Sequence, residues 1–318
     1  MSDRRAFMVG GMLAGVMGGF AGPAVAARRA AFFDRTGLPI GLQMYTLGQD
    51  VARNLDAAFT AVAALGYRDI ELPHLFGKPV ADVAAAARRA GLTISSLHLP
   101  AGNWGPTALS FDDSPQKIAD NVLALGARHV VLPLAPLPQK FAVRPGETPG
   151  GAISRSLRAG GADVWKGVAA YLNERASALK PMGVTVGYHN HNVEFAPIGD
   201  VTGWDILVEQ CDRALVDFEI DIGWVTSAGL DPVAFLRPLR GRVSRMHVKD
   251  VAATTRANFD LSMDPAEVGS GKLDWASILP AAYKAGIRHF YVEQEPPFKI
   301  PVMDAVRIAH DYLKALRA

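Results

Sequence analysis

The sequence contains a single cysteine, Cys211, so no disulfide can form within the chain in any compartment. It falls in a helix-like stretch, residues 204–213, which indicates a small buried hydrophobe rather than a nucleophile. There is also no run of basic residues, because the 33 basic and 31 acidic residues are spread along the chain and give a formal net charge of +2. We therefore expect no nucleic acid partner, since binding to phosphates requires a basic patch.

Long apolar segments are missing too, except at the N-terminus, where the uncharged residues 8–25 follow Arg4-Arg5 and Phe7. A charged start, a short apolar stretch and the small residues Ala24-Val25-Ala26 are typical of a removable leader. The arginine pair resembles a twin-arginine export signal, so we expect residues 1–27 to be cleaved and the protein to be periplasmic, without stable membrane insertion after cleavage. An uncleaved membrane anchor is the alternative, although the glycine-rich stretch is barely long enough to span a bilayer.

With 318 residues and 49% hydrophobic side chains, the chain is long enough for one barrel domain of about 250 residues. Behind the leader, short apolar runs alternate about eight times with alanine- and leucine-rich helical patterns. The predicted strands span residues 40–45, 69–72, 93–99, 129–134, 184–191, 215–222, 244–249 and 290–294. Glycines such as Gly66 and Gly91 stand where a helix should end, and no glycine-rich phosphate loop follows the first strand. The pattern predicts an α/β fold, a single-domain (β/α)8 TIM barrel over residues 36–318.

Two connections between the predicted elements are long, residues 136–161 and 251–274, and each follows a strand. In such barrels the loops after the strands carry the active site. Loops of this length are usually functional, so we expect both to cover the site.

Polar side chains accumulate where the predicted strands end. The set comprises Gln43, Glu71, His98, His189, His191, Asp221, His247, Lys249, Glu293 and Glu295. Burying so many polar groups without a ligand would cost several kcal/mol each. Residues two apart on a strand share a face, which pairs Glu219 with Asp221 and His247 with Lys249. Imidazoles and carboxylates together favour one divalent transition metal, Mn, Co, Fe, Ni or Zn, over Ca.

Residues 187–195, 219–224, 246–250 and 291–295 resemble the fifth to eighth strands of the xylose isomerase-like TIM barrel superfamily. That group includes sugar phosphate isomerases and epimerases, inosose dehydratase and dehydroshikimate dehydratase. Its epimerases hold a metal with Glu, Asp, His and Glu, which implies Asp221, His247 and Glu293 as ligands here. His189 stands where the first Glu is expected, and that Glu is also one of the two bases of an epimerase.

The string Tyr188-His-Asn-His191 is similar instead to the matching strand of inosose dehydratase and of exported lyases that act on 3-keto-glycosides. The resemblance implies that His189 and His191 supply a metal ligand, a base and an acid, with the assignment between them left open. Lys249 would stabilise the enediolate charge, and Glu295 completes the predicted catalytic set.

We further predict that five side chains contact a sugar or keto-sugar substrate: Gln43, Glu71, His98, Trp104 and Trp224. Glu71 and His98 are equally suited to orient other site residues, and a lone tryptophan is more often core than a stacking platform. The sequence leaves three functions open: a lyase or dehydratase on a keto-sugar, a sugar isomerase or epimerase, and a catalytically silent sugar-binding barrel. Homo-oligomerisation is also left open.

Overall fold

A computed structural model describes residues 30–102, 109–137 and 141–318 of the protein. Eight parallel strands form a closed barrel in which each strand pairs with its neighbours along the chain and the last pairs with the first. The barrel strands are β1 (Gly41–Gln43), β2 (Asp69–Leu72), β3 (Thr93–His98), β4 (His129–Leu132), β5 (Thr185–His189), β6 (Val216–Asp221), β7 (Val243–Val248) and β8 (His289–Val292). The predicted TIM barrel is confirmed.

Helices surround the barrel. They are α1 (Phe32–Thr36), α2 (Gln49–Arg53), α3 (Leu55–Leu65), α4 (Val80–Ala90), α5 (Pro115–Ala124), α6 (Pro149–Ala159), α7 (Gly161–Leu179), α8 (Gly203–Gln210), α9 (Ile222–Ser227), α10 (Pro232–Leu236), α11 (Trp275–Ala285) and α12 (Val302–Ala315). In the described ranges, no helix is both long and apolar enough to cross a membrane. Gly66 ends α3 with φ +109°, and a Cβ there would lie 2.5 Å from a ring atom of His310. This position therefore requires glycine for both its backbone conformation and its packing.

The core begins before the predicted start of the barrel at residue 36. Phe32 and Phe33, both in α1, pack edge-on against Phe290 of β8, with ring centroids 5.8 and 5.7 Å apart. The backbone N–H of Phe32 also donates to the carbonyl of Leu316, close after α12, at 2.8 Å. The folded domain therefore includes α1, and the predicted signal peptide, residues 1–27, lies outside the described residues.

Two local features were not predicted. The helical pattern between β1 and β2 forms two helices, α2 and α3, divided at Asn54, whose side-chain oxygen accepts a hydrogen bond from Ala57 N at 3.0 Å and caps α3. The long connection 136–161 contains helix α6, which begins after the capping residue Thr148 with Pro149 in its first turn. Cys211 follows the end of α8 and is buried, as expected for a small hydrophobe.

The two long connections contact each other at the C-terminal side of the barrel. Ser154 in α6 donates a hydrogen bond to the carbonyl of Phe259, and Arg158 lies 3.2 Å from the Asp260 carboxylate. Asn192, just after β5, donates to Asn258 and accepts from the backbone of Leu261, both at 3.0 Å. These contacts anchor the second connection next to the end of β5.

Candidate active site

Most of the polar side chains predicted to form the site meet inside the C-terminal end of the barrel. The following are at most 8% exposed: Gln43, Glu71, His98, His189, Asp221, His247, Lys249 and Glu293. They come from β1, β2, β3, β5, β6 and β7 and from the residues directly after β7 and β8. The strands are parallel, so their C-terminal ends converge on one face and bring together residues that are far apart in sequence.

Glu219 is the central residue of this cluster and was not among the predicted site residues. One of its carboxylate oxygens, Oε1, lies 2.9 Å from His98 Nε2, 3.0 Å from His189 Nδ1 and 3.1 Å from His247 Nε2. The signal for it was present, because Glu219 precedes Asp221 by two residues and so shares its inward face. Three imidazoles from three strands are oriented by a single carboxylate.

Glu71 contacts the same ring nitrogen of His247 as Glu219 does, while the other nitrogen, Nδ1, lies 2.7 Å from Glu293 Oε2. Glu71 Oε2 lies 2.6 Å from His247 Nε2 and accepts a hydrogen bond from Gln43 Nε2 at 2.8 Å. The pairing register of the barrel shifts beside Glu71 and again beside Glu219. Such irregularities bend a strand and change the direction of its side chains, and they are frequent next to active sites. Here they flank the two carboxylates that meet at His247.

Lys249 forms the second half of the cluster. Its ammonium lies 2.8 Å from Asp221 Oδ2, 2.8 Å from Glu293 Oε2 and 2.7 Å from Glu295 Oε1. The Lys249 side chain is 1% exposed and lies over the Trp224 ring at 5.2 Å from its centroid. Glu295 is partly exposed, with 29% of its side chain accessible. A buried cation is thus held among three carboxylates.

The histidines of the cluster differ in the direction of their pKa shifts. Burial alone would lower the pKa of His247, but Glu219 and Glu293 raise that pKa well above its usual value. Glu71 and Glu219 likewise overcome burial and raise the pKa of His98 to about 9. Burial and the nearby His247 instead lower the pKa of His189. At neutral pH, the metal-free site therefore contains charged His247 and His98 beside a neutral His189 imidazole.

His191 lies just beyond β5. Its ring centroid is 5.0 Å from that of His189 and 5.3 Å from that of Trp224. Burial and the neighbouring His189 lower the pKa of His191 well below its usual value, so it is neutral as well. Among the described residues, neither its Nδ1 nor the indole Nε1 of Trp224 finds a hydrogen-bond partner, although both atoms are buried. Unpaired buried polar atoms of this kind are expected where a ligand binds. Trp104 lies outside the described residues.

The donor atoms form two groups that could hold a metal ion, and they share His247. Asp221, His247 and Glu293 can place one ligand atom each within 4.8 Å of one another, and so can His98, His189, Glu219 and His247. His189 Nε2, on the other side of its ring from Glu219, lies 3.8 Å from Asp221 Oδ2. The nitrogen and oxygen donors fit a divalent transition metal. Binding would require His247 to lose its extra proton and the Lys249 ammonium to give up two carboxylates.

Comparisons with known proteins agree with this architecture. A family model described as xylose isomerase-like TIM barrel matches residues 59–316. An inosose dehydratase of Clostridium tetani is 31% identical over 87 residues, which are 27% of this chain and 28% of that protein. The match thus spans less than a third of the relative's length.

Two solved structures are similar over most of the chain. The sugar phosphate isomerase/epimerase of Parabacteroides distasonis has a TM-score of 0.66 and 23% identity, over 88% of this chain and 94% of the other. The 3-keto-D-glucoside 4-epimerase of E. coli has a TM-score of 0.58 and 17% identity, over 87% of this chain and 99% of the other. At these identities the likeness concerns the fold.

Proposed function

Because the chain belongs to the xylose isomerase-like TIM barrel family, we propose that it is a metal-dependent lyase or dehydratase acting on a 3-keto-glycoside or a related keto-sugar. It removes the proton next to the carbonyl and then expels the substituent on the following carbon. Two similar proteins bear names that point to such substrates, an inosose and a 3-keto-D-glucoside. The observation that carries the proposal is a neutral imidazole, His189, that lies in the same buried cluster as two cations, His247 and Lys249.

His189 is the proposed base. Its Nδ1 faces Glu219 Oε1 at 3.0 Å, so the N–H stands on that side and Nε2 carries the lone pair. The lowered pKa of His189 keeps this nitrogen unprotonated near neutral pH, as a general base requires. His191, whose ring lies 5.0 Å away and is itself neutral, can accept the substrate proton from His189 and return it to the leaving group.

The negative charge that forms on the substrate oxygen is stabilised by fixed positive groups. Lys249 and His247 are buried cations whose positions are set by Asp221, Glu219 and Glu293. Fixed charges in a site that excludes water stabilise a developing oxyanion more strongly than water does. A divalent metal bound by Asp221, His247 and Glu293 would take the place of the His247 cation and supply Lewis-acid polarisation of the carbonyl, and His189 Nε2 would remain free to act as the base.

The alternative, a sugar isomerase or epimerase, requires a second base on the opposite face of the substrate carbon. Glu219 and Glu293 are not free for this role, because Glu219 is bound by three imidazoles and Glu293 by His247 and Lys249. A silent sugar-binding barrel would have no use for so many buried charges, each of which opposes folding unless it is paired. These contacts favour the lyase.

We also propose that the protein is exported through the twin-arginine route, on the basis of Arg4-Arg5, Phe7 and the small residues that end at Ala26. A protein exported in the folded state would acquire its metal before it crosses the membrane.

The proposed function is tested with protein stripped by a chelator and reconstituted separately with Mn, Co, Fe, Ni or Zn. We expect about one metal per chain, and elimination products from a 3-keto-glucoside that are detected by mass spectrometry. His247→Ala should lose both, whereas the exposed His74→Ala should keep both. Interconversion of free sugars by a protein that leaves 3-keto-glucosides intact would instead favour the isomerase.

A further inference from the structure

A cavity of about 1090 Å³ lies at the C-terminal ends of β2, β3 and β4. Pro73, Pro100 and Pro133 line it, and each follows one of these strands within two residues of its end. Glu71 and His98 of the catalytic cluster lie two residues before Pro73 and Pro100 in the chain. The cavity therefore lies just beyond the strand ends that carry Glu71 and His98.

The far wall of the cavity is one face of helix α7. Val164, Gly167, Val168 and Tyr171 line it at spacings of three, one and three residues, which places them on the same side of a helix. Ile153 of helix α6 completes this wall. The long connection after β4 thus supplies a surface that faces the strand ends across the cavity.

The lining is mostly apolar, and its charged groups are negative. Asp112 and Asp163 are the charged residues among its described members, and Asp112 accepts a hydrogen bond from the Tyr171 hydroxyl at 2.6 Å. None of the described lining residues is a lysine, arginine or histidine. Asp112 also lies 4.0 Å from Arg175, and the exposed Asp163 lies 3.7 Å from Lys166, so neither charge stands alone. A neutral apolar group would be stabilised by burial against the apolar lining. The volume is similar to that of pockets that hold drug-sized ligands.

We propose that this cavity binds the aglycone, a neutral and largely apolar leaving group of a keto-glycoside whose sugar occupies the catalytic cluster. The inference rests on the proposed function and adds the class of substrate. A glycoside with a bulky apolar aglycone should be preferred over one with a small aglycone.

Gly167 allows a direct test. In the described ranges, no heavy atom beyond the adjacent turns of its own helix lies within 4 Å of the position of a Cβ at this residue, so a side chain can enter the cavity without a backbone clash. We expect Gly167→Phe to lower kcat/KM for 4-nitrophenyl 3-keto-glucoside by at least about tenfold, because the ring fills the space of the aglycone. For methyl 3-keto-glucoside, kcat/KM should stay within about twofold, and Gly167→Ala should leave both substrates unchanged.

Thermal unfolding confirms that each variant is folded, and Val164→Phe provides a second obstruction if Gly167→Phe is not. Equal losses on both substrates, or none on the 4-nitrophenyl substrate, overturn the aglycone site while leaving the proposed function intact. If the wild type consumes neither substrate, the proposed function fails and the aglycone site fails with it.

Discussion

Lys249 is the buried cation whose removal tests the electrostatics of the site most severely. In Lys249→Met, a side chain of similar length replaces the ammonium, and Asp221 and Glu293 lose a positive group 2.8 Å away. Both carboxylates are nearly inaccessible to water, at 0% and 8% side-chain exposure, so solvent cannot replace the ammonium. We expect the metal-free variant to be strongly destabilised.

The distances give the magnitude. Charges 2.8 Å apart attract each other by about 6 kcal/mol at an effective dielectric constant of about 20. Desolvation offsets much of this, and removal of one partner of a buried ion pair typically costs about 3–5 kcal/mol. At about 2 °C per kcal/mol for a domain of this size, the Tm should fall by roughly 6–10 °C.

The assay is thermal and denaturant unfolding of chelator-treated protein, compared with the matched variant Lys117→Met. Lys117 also forms a close pair, 2.7 Å from Asp113, but its side chain is 51% exposed. Exposed pairs contribute at most about 1 kcal/mol, so Lys117→Met should unfold within about 2 °C of the wild type.

Added divalent metal extends the test. A metal ion bound by Asp221 and Glu293 would replace the missing positive charge, so it should raise the Tm of Lys249→Met more than that of the wild type. If metal-free Lys249→Met is as stable as the wild type, the proposed arrangement of charges is wrong. Equal metal-induced shifts in both proteins would show that the ammonium and the metal do not share these carboxylates.

Three further predictions concern other parts of the protein. Burial raises the pKa of Glu194 to about 7, so the folded protein resists deprotonation of this carboxyl as the pH rises from about 4.5 to 7. Over that interval the free energy of unfolding of the wild type should fall by about 3 kcal/mol relative to that of Glu194→Gln, as measured by denaturant unfolding at each pH. Asp250 accepts hydrogen bonds from Gly269 N and Trp275 Nε1, so Asp250→Ala should cost at least about 2 kcal/mol by denaturant unfolding, and unchanged stability would refute this role. Mass spectrometry of native protein should find a mature chain that begins near Ala27, and full-length protein confined to the cytoplasm would contradict export.

The barrel was predictable because its signal is local and repeated. Each strand appears as a short apolar run, and glycines such as Gly66 and Gly91 mark the helix ends by their left-handed backbone. Helix α6 was not predicted, because the proline and glycine content of residues 136–161 is typical of a loop. Its start at Thr148 and Pro149 is nevertheless an N-terminal capping signal of the usual kind.

The membership of the buried polar cluster was largely predictable, but its internal pairing was not. The inward-facing polar residues can be selected by their position at a strand end and by the two-residue periodicity of a strand. The same periodicity includes Glu219, which precedes Asp221 by two residues and therefore lies further inside the barrel on the same face. Which partner each residue takes depends on contacts between distant strands, such as His247 with Glu71, 176 residues apart. The shifts in pairing register beside Glu71 and Glu219 that accompany these contacts have no local sequence signal.

Exchange of the substrate α-proton tests the central claim, that a neutral imidazole on β5 removes this proton from a keto-sugar. Metal-loaded protein is incubated with a 3-keto-glucoside in D₂O, and deuterium incorporation is followed by NMR and mass spectrometry. His189→Gln keeps a donor for Glu219 but has no basic nitrogen, so its exchange rate should fall by at least about a hundredfold, and more than that of His191→Gln. Exchange at the wild-type rate in His189→Gln would contradict the account.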